Sequence, residues 1–233
     1  MNTQLHNWWL DLRHGGLLIS PAVLTEVFPA EPESPGTQSL QYLREKYNRY
    51  ATRRTRVLSS DTSHKHTLEF LDYLMETFLK MNQGRWLKWN EIPNELITTT
   101  ILREHIRPHR LYYLNADDPS PFLAVFPDTS QRIGVGKGRA VFGRMLKYLR
   151  DKRIPFGVLT NGSQFRLCYA AYDSESWAEW DINDWFEDSE NLHSLYGLYF
   201  LLGPAGIQPR DRYRVPLQEA VESSRTRQGE LST

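Results

Sequence analysis

Along this chain the hydrophobic positions fall into stretches of helical period and stretches of alternation, and the two kinds predict different elements. From Ser39 to about Ala51, the residues Leu40, Leu43, Tyr47 and Tyr50 recur at helical spacing, which predicts an amphipathic helix with its basic residues outward. Between Thr67 and Lys80, Leu68, Leu71, Leu74 or Met75, and Phe78 share one face and predict a second helix. A third is predicted from Arg139 to about Lys152, with Val141, Met145, Leu146 and Leu149 inward. Leu192 to Leu202 is an apolar helix stopped by Gly203-Pro204.

Strands are predicted at Arg110 to Asn115 and Phe122 to Phe126. They are separated by Asp117-Asp118-Pro119-Ser120, in which Asp caps a turn and Pro presets its dihedral. Phe156 to Leu159 and Phe165 to Tyr169 form a second strand pair joined around Asn161-Gly162, a strong hairpin signal. Glu91 to Leu102 fits a short helix or a strand pair, and periodicity does not decide between them. The stretch from Leu10 to Phe28 is expected to fold back on the core, and residues 29–37 form a Pro-rich, acidic connector.

With 233 residues and 40% hydrophobic positions, the chain can bury a sizeable core and is expected to fold. Its formal charge is zero, so bulk basicity gives no argument for nucleic acid, but the charges are unevenly placed. Arg44, Lys46, Arg49, Arg53, Arg54 and Arg56 form one basic block. Arg132, Lys137, Arg139, Arg144, Lys147, Arg150, Lys152 and Arg153 form a second. Acid is concentrated between Asp173 and Glu190, where no Lys or Arg intervenes. Cys168 is the single cysteine, which excludes a disulfide framework and a Cys-rich zinc site. The N-terminal residues lack a signal-peptide pattern, and no stretch approaches the ~18 apolar residues of a membrane span. A soluble protein of the reducing cytoplasm is expected, with no membrane partner.

The residues from 107 to 170 carry the most specific pattern. An Arg107-Pro108-His109 segment leads into the first hairpin, a basic helix follows, and the second hairpin reads Gly157-Val-Leu-Thr-Asn-Gly-Ser-Gln-Phe-Arg-Leu-Cys-Tyr169. This arrangement, a G-x-L-T-N-G-x-x-[FW]-R-L-x-Y signature after an R-P-x strand, resembles the N-terminal nuclease domain of type I and type IIG restriction-modification proteins. The resemblance implies an α+β fold, a restriction-endonuclease-like mixed sheet flanked by helices with N-terminal helical additions. It implies residues 1–60 as an N-terminal extension, 61–203 as the nuclease-like domain, and 204–233 as a tail or linker toward a further domain.

In that family an R-P-D strand and an E-x-K strand hold the metal, and a Q-x-x-x-Y helix follows. Here the first acid falls at His109, the glutamate at Phe126, the lysine at Asp128, and the helix reads Arg144-x-x-x-Tyr148. Mg²⁺ wants carboxylate and water oxygens, which Phe126 does not supply. The expected function is therefore a catalytically inactive nuclease-like domain that binds DNA or scaffolds a restriction-modification or anti-phage assembly, with other subunits of such a system as partners and no cofactor. Two alternatives stand beside it. One is an active Mg²⁺-dependent endonuclease with migrated carboxylates, drawn from Asp117, Asp118 and Asp128 with Glu69 or Glu76. The other is a protein-interaction module in which the basic and acidic blocks mate without nucleic acid. No D/N-P-P-Y/F/W tetrapeptide occurs, so adenine methylation is excluded from these residues. A free-standing relative and the front end of a longer protein both remain open, the second favoured.

The DNA contacts expected are Arg53, Arg54, Arg56, Arg132, Lys137, Arg139 and Arg144. Lys137, Arg139 and Arg144 are expected on one side of a loop and helix, where cations facing phosphates give sequence-independent affinity; a solvated helix face explains the pattern equally well. Arg53, Arg54 and Arg56 lie near Tyr47 and Tyr50, mixing cations with stackable rings. Docking of this block onto the acidic segment is the plainer reading. Gly134-Val-Gly-Lys-Gly-Arg139 fails the Walker A spacing and lacks its hydroxyl, so it reads as a flexible loop. His64, His66, His105 and His109 lack a matched zinc-ligand pairing. Trp86 and Trp89 read as core or interface anchors.

Overall fold

The computed structural model describes residues 6–56, 60–100, 103–170, 175–187, 192–211 and 214–231, without the side chains at 54–56, 60–64, 187 and 231. Its centre is a seven-stranded mixed sheet of order β1-β9-β8-β7-β6-β5-β2. The strands are β1 (Arg13–Gly15), β2 (Arg85–Lys88), β5 (Arg110–Tyr113), β6 (Leu123–Pro127), β7 (Phe156–Thr160), β8 (Gln164–Ala170) and β9 (Glu175–Asp181). A separate two-stranded ladder joins β3 (Thr98–Thr99) to β4 (His105–Ile106).

All neighbours in the large sheet are antiparallel except β6 and β7. A parallel pair needs a crossover, and α5 (Gly138–Lys152) supplies it. Both predicted hairpins form. β5 and β6 pair Arg110 with Val125, β7 and β8 pair Thr160 with Phe165, and Gly162 takes a positive φ of 82° in the connecting turn.

Strand alternation sorts side chains between two faces. On one face, Phe156, Val158, Phe165, Leu167, Ala178 and Trp180 are buried against helices. These are α1 (Asn7–Leu10), α2 (Pro21–Val27), α3 (Thr37–Arg56), α4 (Ser60–Asp72), α6 (Asp184–Glu187), α7 (Leu192–Leu202), α8 (Pro204–Ile207) and α9 (Pro216–Leu231). The predicted helix ending at Lys80 leaves α-geometry after Asp72. A π-turn over Tyr73–Phe78 follows, in which the Leu79 amide donates to the Leu74 carbonyl at 2.8 Å. On the other face, α5 covers the sheet together with Ile92, Ile106 and Ile133, burying Met145, Leu146 and Leu149 as predicted and also Phe142 and Tyr148.

The segment expected to be a tail is part of this body. Leu217, Ala220 and Val221 of α9 are fully buried in the same cluster as Trp8, Leu24 and Leu43, so residues from before 60 and after 204 share one core. The ambiguous region before β4 resolves into two 3₁₀ turns, Trp89–Glu91 and Asn94–Leu96, then β3; residues 101–102 of it lie outside the described residues. No described helix is long and apolar enough to cross a membrane.

Candidate nucleic-acid interface

The covering helix α5 is narrower than the sheet, and the outer strands β8, β9 and β1 are capped on that face by the loop leading into it. Arg166 on β8 and Glu179 on β9 stand directly opposite each other, and Arg13 on β1 stands opposite Glu179. The Arg166 guanidinium donates to Glu179 Oε2 from Nε at 2.9 Å and from Nη2 at 2.6 Å. Gln164 Nε2 donates to Glu179 Oε1 at 3.1 Å, and Arg13 Nη1 lies 3.5 Å from that same oxygen. Glu179 is buried, while more than half of the Arg13 side chain is exposed, at 56%. The guanidinium of Arg166 also lies 3.8 Å from the Trp177 ring centre.

The loop is shaped to lie on this pair. Gly134 has φ of 69°, and a Cβ there would come within 2.3 Å of the Arg166 guanidinium. The Ile133 amide donates to Gln164 Oε1 at 3.0 Å, and Asn161 Nδ2 donates to the Ser130 and Gln131 carbonyls. The Asn161-Gly162 turn therefore anchors the loop as well as reversing the strand. Two concavities result, of about 710 and 600 Å³, which share Arg13 and Arg132 in their walls. Arg139 lines the smaller one, and Lys137 is exposed at the start of α5. Among the described residues, Arg132, Lys137 and Arg139 have no carboxylate partner. Two cations at a helix N-terminus oppose the helix dipole, a placement that favours a bound anion.

Arg144 is not with them. It follows Arg139 by five residues, which turns it about 140° around the helix. It lines a separate cavity of about 230 Å³ together with His105, Arg107, His109, Phe126 and Asp128. The expectation of one shared basic side for Lys137, Arg139 and Arg144 is thus corrected by helical geometry.

His109, Phe126, Asp128 and Arg144, the positions at which the expected motif is replaced, line that cavity, but the carboxylates of the alternative do not converge. Both Asp128 oxygens accept from Ser130, Oδ1 from its amide at 2.9 Å and Oδ2 from its hydroxyl at 2.6 Å. A Cβ on Gly138 would lie 2.8 Å from Oδ2, so the carboxylate faces the first turn of α5. Asp118 accepts from the Asn115 amide at 2.8 Å, the turn role its composition suggests. The whole of β6, about 16 Å of strand, separates it from Asp128. Asp117 is exposed in that same turn. Glu69 is exposed and lies 3.4 Å from Arg53, and Glu76 lies 2.9 Å from Lys88. Among the described residues, no group of three His, Cys, Asp or Glu side chains is placed to hold a metal ion.

The first basic block is also arranged differently from expectation. Tyr47 and Tyr50 are buried; the Tyr50 ring stacks on Phe70 at 5.2 Å and its hydroxyl donates to the Asn161 carbonyl. Neither ring is open to stack a base. Arg53 is exposed, and the side chains of Arg54, Arg56 and His64 lie outside the described residues. The acidic segment is partly consumed inside the fold, through Glu179 and through Glu175, 3.8 Å from Arg150. Arg44 also donates to the Phe186 carbonyl at 3.0 Å. His66 Nδ1 lies 3.6 Å from Glu69. Trp86 donates to the Met81 carbonyl as a half-buried anchor, while Trp89 is 39% exposed against His109.

Arg13, Gln164, Arg166, Trp177 and Glu179 were not legible as site residues. The signal was present in part, since Ser176, Ala178 and Trp180 alternate with Glu175, Trp177 and Glu179, the mark of a strand. Acidic composition masked it. No family profile matches the chain, and neither the curated proteins nor the solved structures give a significant match.

Proposed function

We propose that the chain is a nucleic-acid-binding domain of restriction-nuclease-like design that holds a phosphate backbone without cleaving it. The observation that carries this reading is the cationic rim formed by Arg132 and Arg139, which have no carboxylate partner among the described residues, with Arg13 beside it and Lys137 exposed at the start of α5, over a floor whose own charges are mutually satisfied. Cations free of carboxylate partners are the ones available to phosphates, and the two concavities share Arg13 and Arg132 in their walls. The loss of hydrolysis rests on Phe126, which offers no ligand atom, and on Asp128, whose oxygens are engaged by Ser130. A role within a restriction-modification or anti-phage assembly belongs to the same reading and rests on the resemblance of residues 107–170.

The test is duplex binding over a range of salt, together with a plasmid-cleavage assay in Mg²⁺ and Mn²⁺. Binding should weaken steeply as salt rises, and R132E and R139E should each flatten the salt slope by about 1. Absent or salt-insensitive binding favours the protein-interaction module. Metal-dependent cleavage abolished by D128N or D118N favours the migrated-carboxylate enzyme.

A further inference from the structure

The cavity on the far side of α5 from the groove has a composition that calls for its own ligand. Its wall brings His105 from β4, Arg107 and His109 from the segment entering β5, and Arg144 from α5 around the end of β6. Among the described residues, the only carboxylate in that wall is Asp128, buried and turned to Ser130 and the start of α5. Two guanidiniums therefore share about 230 Å³ with two imidazoles.

Most of these side chains are held in place. Arg107 Nη2 donates to the Ile92 carbonyl at 2.7 Å, and its guanidinium lies 5.0 Å from the Trp89 ring centre. The His109 ring centre is 4.5 Å from that of Trp89. His105 Nδ1 lies 3.1 Å from the Thr99 hydroxyl. Arg144 is exposed, and among the described residues no carboxylate pairs with it. Held donors lose little freedom when an anion arrives, and one exposed arginine completes the contact.

The geometry points to a metal-independent pocket for a phosphate monoester, either at the end of a nucleic-acid strand or as a free small molecule. A terminal phosphate carries close to two negative charges at neutral pH, where a backbone diester carries one. A compact pocket with two arginines and two histidines matches the denser charge. No bond is made or broken; the pocket reads the end of a ligand. The inference stands apart from the groove reading, because Arg144 and Arg139 line different cavities.

The experiment uses the full chain with EDTA present. Inorganic phosphate is titrated by ³¹P NMR, and two single-stranded oligonucleotides that differ only in a 5′-phosphate or 5′-hydroxyl are compared by fluorescence anisotropy. Inorganic phosphate should bind, and R144Q should weaken it by about ten-fold. The 5′-phosphorylated strand should bind about ten-fold tighter than its hydroxyl twin, and R144Q should remove that preference while R132Q leaves it. If neither strand binds but inorganic phosphate binds in an Arg144-dependent way, the source is a free phosphate compound and the pocket stands while the groove reading fails. Phosphate binding that is absent, that needs a divalent metal, or that survives unchanged in R144Q overturns the pocket.

Discussion

The two sides of α5 handle charge in opposite ways. On the groove side, Arg166 is inside the protein and meets Glu179 through two hydrogen bonds, so the buried charges are satisfied and the free cations stand on the rim. On the pocket side, the carboxylate is withdrawn to Ser130 and the cations of the wall face a cavity. A buried pair is rigid and self-sufficient, and breaking it leaves a stranded charge. Exposed cations add little stability, which leaves them available for a ligand. The contrast separates groups that hold the fold from groups that are open to an anion, although all are Arg, His, Asp or Glu in the sequence.

The largest effect is expected from E179A. It leaves Arg166 buried without its partner and should cost about 3–5 kcal/mol in urea unfolding. Cys168 reports the same event. It follows Arg166 by two residues on the same face of β8, and burial pushes its thiol well above the usual range. The native protein should resist a thiol reagent, and E179A should label faster; equal stability and labelling would erase the distinction between the two sides. D128A comes next. It removes two hydrogen bonds to a charged acceptor and should cost about 1.5–3 kcal/mol by the same measurement. A wild-type melting curve for this variant would return Asp128 to the list of groups free for a metal. G134A should cost about 1–2 kcal/mol from the left-handed backbone alone. Its Cβ also crowds Arg166, so an unchanged midpoint would show that the loop does not rest on the pair. R144Q should change stability by less than about 0.5 kcal/mol, the range of a surface substitution. A larger loss would place Arg144 with the structural group and break the comparison from the pocket side.

Much of the sheet's centre was readable because local signals agree there. Leu123–Pro127 and Phe156–Thr160 are short apolar runs, and Asn161-Gly162 supports the left-handed turn between β7 and β8 with φ of 82° at the glycine. The helix α5 was readable from Met145, Leu146 and Leu149 for the same reason. The strand β9 was not, because its outward letters include Glu175 and Glu179 and the stretch resembles a solvated acidic segment until Arg166 is seen across from it. Tyr47 and Tyr50 looked like stacking rings beside arginines and are core residues, because helix phase points them at Phe70.

The sequence by itself determined the helices of strong period, the two hairpins, and the absence of an acidic residue at His109 and Phe126. Those depend on near neighbours, whose spacing fixes which side chains share a face. Only the tertiary structure decided that Glu179 would neutralise Arg166, that Asp128 would turn to Ser130, and that Arg139 and Arg144 would serve different cavities. The energy of a charge depends on what lies within a few ångströms of it, and residues far apart in the chain supply those neighbours only when the sheet assembles.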